Sequence, residues 1–228
     1  MDKIEGIVKI LKSDVNLNLA PDHAIEDLAR YAERRYFQKG EYVFRAGEDS
    51  DYYYAVEKGR IILSKEAPSG RIFTYVIAVP GMTLNAVTCF KPQVRFFSAR
   101  VAENSTVIAV PCEKFRKCVL KYPEVTAGIL NYLGGMIDAA YTRILDIIDE
   151  SAETRVLNAL AMLCSRIGED LPLTNSDVAE MTGVSRETAA RVISRLQEAG
   201  LISKMRGTIK VLDKARLEEL STSPFFIL

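Results

Sequence analysis

The chain has no charge of either sign to spare. Lys and Arg total 30 and Asp and Glu total 30, so the formal net charge is zero. A chain-wide basic footprint for nucleic acid is therefore excluded, and any such surface must be a local patch. No apolar run reaches the length of a membrane span. The opening stretch MDKIEGIVKILKSD breaks its apolar residues with charges and has no signal-peptide core, so a cytoplasmic location away from any membrane is expected. There is one histidine, His23, and no cysteine before Cys89. In that compartment the four cysteines (Cys89, Cys112, Cys118 and Cys164) are expected as thiols. HExxH, GxSxG, the P-loop and the dinucleotide fingerprint are all missing. No catalytic residue and no metal site is assigned, and an enzyme is not expected.

What is present is ordinary globular material: 228 residues, 48% hydrophobic and 26% charged. It falls into three zones. Residues 1 to about 35 look helical, with Ile25, Leu28, Ala29 and Ala32 at helix spacing behind Pro21-Asp22. From about Tyr36 to Val110, short β-branched and aromatic runs (YFQKGEYVF, YYYAVEKGRIILSK, RIFTYVIAV, RFFSARVA, TVIAV) alternate with Gly, Pro and Asp. That texture predicts a β-sandwich or barrel.

From about Pro123 the chain turns helical. Leu130, Leu133, Ile137, Ala140, Ile144 and Ile147 repeat at intervals of three and four, an a/d seam over nearly three heptads. The seam could pack on its own β-domain or pair with the same helix of a second chain. Ile129, Met136, Tyr141 and Ile148 lie beside it and are placed to face the β-domain. Ser151 can cap a new helix from Ala152 to about Ile167. The expected divisions are 1–122, a β-domain; 123–150, a long helix; and 151–228, a C-terminal domain.

The most specific signal is LTNSDVAEMTGVSRETAARVISRLQEAGLISKMRGTIKVL. Thr174 with Asp177 reads as a capping box opening a short helix. Gly183 suits a left-handed turn, and Ser185 caps a second helix from Arg186 to about Glu198. Ala189, Val192, Ile193 and Leu196 would bury, leaving Arg186, Glu187, Ala190 and Arg191 outward. A helix-turn-helix presents that end of its second helix to the major groove. There Arg can grip a guanine edge and Glu can accept from cytosine N4. The remainder reads as a wing hairpin turning at Gly207, with Lys204 and Arg206 near its tip. Between Ser185 and Lys210 six basic residues face two acidic ones, a local surplus inside a neutral chain.

These residues resemble the winged helix of the CRP/FNR family. FQKGEYVFRAGEDSDYYYAVEKGRIILSK is similar to that family's glycine-punctuated jelly roll, and the heptad seam to its dimerisation helix. The resemblance implies an α+β chain with a β jelly roll, a long dimerisation helix and a winged helix-turn-helix. It implies a homodimeric, effector-gated transcription regulator that binds double-stranded DNA and works with RNA polymerase. Glu187 and Arg191 match the family's base-reading pair, and Arg186 matches members that read TGTGA-type half-sites. Thr174, Ser185, Lys204 and Arg206 complete the implied DNA contacts.

The implied effector differs from the family's best-known one. Cyclic-AMP-binding members hold ribose and phosphate with Gly-Glu and Arg-Ser; here Asn85-Ala86 and Phe97-Ser98 stand there. Arg95 and Arg100 are the nearest cations, each out of register. Cyclic AMP and an iron–sulfur cluster are therefore not expected. The expected effector is an apolar or aromatic small molecule held by Leu84, Ala86, Cys89, Phe97, Ser98, Met136 and Tyr141. One alternative is a haem-based gas or redox sensor with Cys89 as thiolate ligand. Another is a cyclic-nucleotide-like module that regulates a protein partner without DNA.

Overall fold

The computed structural model describes residues 3–84, 86–91 and 94–221. The chain forms two compact units: Met1–Ala67 with Thr74–Gly134, and Pro68–Phe73 with Gly135–Leu228. The boundaries expected at 122 and 150 are the ends of one helix; the units divide within it, at Gly134.

The first unit opens with helices α1 (Lys3–Ser13) and α2 (Asp22–Ala29). Strands β1 (Glu33–Phe37), β2 (Tyr42–Phe44), β3 (Tyr52–Glu66) and β4 (Ile72–Ala78) follow, then a 3-10 turn at Ala86–Cys89 and strand β5 (Ser98–Pro111). Helix α3 (Cys112–Lys121) and the first part of α4 (Pro123–Asp149) complete it. The sheet runs β1-β5-β3-β4, with β2 also paired to β5. Its spine is the antiparallel β3–β5 ladder, from Tyr52 opposite Pro111 to Ser64 opposite Ser98. SARVA of the first run and TVIAV thus form one strand, not two, while Arg95–Phe97 precede it. The register shifts around Lys58. A Cβ at Gly59, where φ is 89°, would lie 2.7 Å from the Asn104 carbonyl oxygen, so the crossing there needs glycine.

The helices cover one face of this sheet. Ile7, Leu11, Ile25 and Leu28 pack with Tyr53, Ile108, Phe115 and Ile129 in one buried cluster. The Tyr53 and Phe115 rings stack with centroids 4.0 Å apart. Asp14 is also buried there, and burial pushes its carboxyl up to about 7 although one carboxylate oxygen accepts from the Asn16 amide at 2.9 Å.

The cysteine expectation is corrected at two of four positions. Cys89 and Cys112 are joined by a disulfide, with Cα atoms 5.1 Å apart. Cys112 opens α3 directly after β5, and that junction lies against the turn that ends at Cys89; a separation of 23 residues in sequence carries no hint of it. Cys118 and Cys164 are buried thiols, and burial pushes Cys118 up to about 11.

The second unit holds the rest of α4, then α5 (Ala152–Ile167), β6 (Asp170–Leu171), α6 (Asn175–Thr182), α7 (Arg186–Glu198), β7 (Ile202–Met205), β8 (Thr208–Val211) and α8 (Lys214–Leu220). Helix α5 starts where Ser151 accepts a hydrogen bond from the Thr154 amide, as expected. Val156, Leu160 and Leu163 of α5 are buried, as are Val178, Val192, Ile193, Leu196, Ile209 and Leu217. The sheet order is β6-β8-β7; β6 and α8 had no periodic signal in the sequence.

Along α4, Ile129 is buried and Leu133 packs on the first unit's core. Leu130, Ile137, Ala140, Ile144 and Ile147 are exposed. Tyr141 and Ile148, expected to face the β-domain, are also exposed, at 63% and 69%. Both lie in the part of α4 that belongs to the second unit.

Candidate nucleic-acid interface and sensor residues

The helix-turn-helix is built from reciprocal caps. Thr174 accepts from the Asp177 amide at 3.2 Å, and Asp177 accepts from the Thr174 amide at 2.8 Å. Gly183 closes α6 in the left-handed region at φ 68°. Ser185 then accepts from the Thr188 amide at 3.1 Å and starts α7. Both hydroxyls assigned to DNA thus also cap helices. The buried face of α7 is Ala189, Val192, Ile193 and Leu196, as expected.

On the other face Arg186, Glu187 and Arg191 are exposed, as are Lys204 and Arg206 on the wing. Among the described residues none of these four cations makes an ion pair. The Glu187 carboxyl is held below its usual range by its own amide and the Ser185 hydroxyl, so it stays an ionised acceptor. Arg195 is different. Its Nη1 donates to Glu153 at 3.1 Å, so part of the charge surplus counted in the sequence is neutralised by α5.

The residues assigned to an effector are scattered in character. Leu84, Ala86 and Cys89 are buried, while Phe97 and Ser98 are half-buried. Phe97 stacks on Tyr75 with centroids 4.5 Å apart, and the Ser98 hydroxyl accepts from the Ala46 amide. Met136 and Tyr141 belong to the second unit. Asn85 lies outside the described residues. Cys89 is 2% exposed and its sulfur is bonded to Cys112, so it offers no thiolate and the haem alternative loses its assigned ligand.

Comparison with known proteins agrees with this layout. Residues 34–122 match the cyclic nucleotide-binding domain, and residues 154–220 match the Crp-like helix-turn-helix domain. The cyclic AMP receptor protein of Thermus thermophilus is 28% identical over 206 residues, 89% of this chain and 94% of that protein. A CRP-like cAMP-activated global transcriptional regulator of Mycobacterium tuberculosis is 24% identical, over 85% of this chain and 90% of its own. Among solved structures, FixK2 from Bradyrhizobium japonicum superposes with a TM-score of 0.75 at 20% identity, covering 84% of this chain and 98% of its own. That last likeness speaks for the fold alone. No described helix is long and apolar enough to cross a membrane.

Proposed function

The chain belongs to the CRP/FNR family of DNA-binding transcription regulators, and we propose that it acts as a homodimer reading a palindromic TGTGA-like site under effector control. The observation that carries the reading is the trio Arg186, Glu187 and Arg191, exposed on the first turns of a capped helix with neither arginine in an ion pair among the described residues. Arg186 and Arg191 take guanine edges, and Glu187 takes cytosine N4. Lys204 and Arg206 hold phosphate from the wing, beside Thr174 and Ser185.

The dimer is supported by the exposed stripe of α4, where Leu130, Ile137, Ile144 and Ile147 are 51–63% exposed in the single chain. A contiguous apolar stripe at heptad spacing needs a partner, and a second copy supplies an identical one. RNA polymerase is the expected protein partner, in the cytoplasm.

Two relatives carry cyclic AMP in their names. Here Ala86 and Phe97 occupy the positions of the ribose carboxylate and the phosphate guanidinium, so an apolar or aromatic effector fits these residues better. The partner-regulating module without DNA is set aside by the helix-turn-helix match.

The test is fluorescence anisotropy of the full chain with a TGTGA-like palindrome and a random duplex across a salt series. The palindrome should bind about 1000-fold or more tightly than random DNA at physiological salt. Equal affinities would reject sequence reading.

A further inference from the structure

The first unit carries a cleft of about 700 Å³ that contains none of the residues assigned to the effector. Four cations line it, Lys65, Lys91, Arg95 and Arg116, against two carboxylates, Asp49 and Asp51.

Arg95 is the unusual member. It is 2% exposed, yet it makes no ion pair among the described residues. Its Nη1 donates to the Thr88 hydroxyl at 2.8 Å and its Nη2 to the Tyr52 carbonyl. Its guanidinium lies 4.1 Å from the Phe44 ring centroid. Its Nε is buried with no hydrogen-bond partner, and so is the Ser50 hydroxyl in the same wall. Asp51 and Glu48 act on Arg95 only at longer range. A buried guanidinium without a counter-ion is costly, and so is a buried donor or hydroxyl without a partner. An oxyanion admitted at this wall would supply Arg95 with the counter-ion it lacks.

The rest of the wall fits a ligand with two ends. Val94 and Phe96 are 50% and 56% exposed, and the Lys65 ammonium sits 4.5 Å from the Phe96 ring centroid. Arg116 donates to the Cys89 carbonyl at 2.7 Å, which pins it beside Thr88.

We propose that this cleft is a second ligand site, taking a small molecule whose oxyanion, a carboxylate or phosphate, is joined to an apolar or aromatic body. The oxyanion sits at the wall formed by Ser50 and Arg95, with Lys91 and Arg116 adding charge. The apolar body lies against Val94 and Phe96. The site includes none of Ala86, Phe97 and Ser98, although the Phe96 ring packs edge-on against Phe97 with centroids 4.9 Å apart, and it does not rest on the proposed DNA reading.

Calorimetry of the full chain in phosphate-free buffer, with phenyl phosphate, benzoate and phenol as probes, tests it. At least one of the two anions should bind saturably, and phenol should not. Ser50→Ala and Lys91→Gln should each weaken the anion about five-fold, and Arg95→Met should abolish it. Ser50→Ala and Lys91→Gln decide the matter if Arg95→Met does not fold. Saturable binding by neither anion would overturn the proposal, as would phenol binding equally well or both conservative variants binding like the parent.

Discussion

Arg143 of the long helix donates from Nη2 to the carbonyl of Met181, 2.6 Å away and 38 residues on. Met181 lies in the last turn of α6, where helix carbonyls have no partner of their own. The same guanidinium stands 4.5 Å from the Phe73 ring centroid. Below it on α4, Asp146 is buried and accepts from Asn158 of α5 at 3.5 Å. The long helix therefore holds the first helix of the DNA-binding motif through a charged donor on a carbonyl that would otherwise be unmet. Arg143→Ala should speed amide hydrogen exchange in α6 about five- to ten-fold, about 1 kcal/mol of local stability. Exchange in β3 should not change. An α6 as protected as in the parent would show that the bond contributes nothing.

The buried Asp14 predicts a pH dependence. Its carboxyl ionises at about 7 in the folded chain against an ordinary 3.8. Between those values the native protein keeps a proton that the unfolded chain has lost. Its contribution is therefore full below the unfolded value and is lost as pH rises through about 7. The span corresponds to at most about 4 kcal/mol. Asp14→Asn should flatten the curve of stability against pH over that range in urea melts. A parent curve already flat from pH 4 to 7 would rule the assignment out.

The parts of this structure legible in the sequence are those whose signal is local. Helices α5 and α7 begin and end where Ser151, Ser185 and the apolar spacing place them, because a cap and a stripe are read within a few residues. The glycines at the turns were legible for the same reason. Strand β5 was read as two runs because the polar Glu103-Asn104-Ser105 interrupts its apolar pattern, while the ladder to β3 carries the strand through. The Cys89–Cys112 bond, the Arg195–Glu153 pair and the cleft at Arg95 were not legible. Each joins residues distant in sequence, and no periodicity marks such a meeting. Tyr141 is exposed in the single chain, and a helix flank alone does not say what covers it.

The disulfide gives a third prediction. It closes a loop spanning 23 residues that contains the cleft residues Lys91, Val94, Arg95 and Phe96. By the chain-entropy model, Cys112→Ser should lower stability by about 3 kcal/mol under oxidising conditions. Under reducing conditions the parent and the variant should converge. Equal urea midpoints for the two in both conditions would show that the bond does not form in solution.

The seam gives a fourth. Ile137 is 52% exposed in the single chain and sits mid-way along the stripe. Ile137→Asp would place a charge inside an apolar contact of the proposed dimer, and should give monomers by sedimentation with the fold intact. A dimer that survives this change uses another surface.

The last prediction separates base reading from phosphate holding. Among the described residues Arg186 and Arg191 are exposed and make no ion pair, so each can take a base edge; Lys204 makes none either, but stands on the wing. Arg186→Ala and Arg191→Ala should each cost about 1–3 kcal/mol on a TGTGA-like palindrome, with little loss on random duplex. Lys204→Ala should weaken both DNAs alike and reduce the salt slope by about one. Arg195 serves as the internal control. It is as basic as the others and lies on the same helix, but it is paired with Glu153. An exposed pair of that kind contributes about 0–1 kcal/mol, so Arg195→Ala should cost a little stability and little specificity. A dimer gripping both half-sites also needs its two α7 helices about 34 Å apart, one DNA turn. Inserting half a turn of DNA between the half-sites should therefore roughly halve the penalty of Arg186→Ala, because the parent would then read only one half-site. If Arg186→Ala instead loses equally on specific and random DNA, Arg186 holds phosphate and the TGTGA reading falls with it.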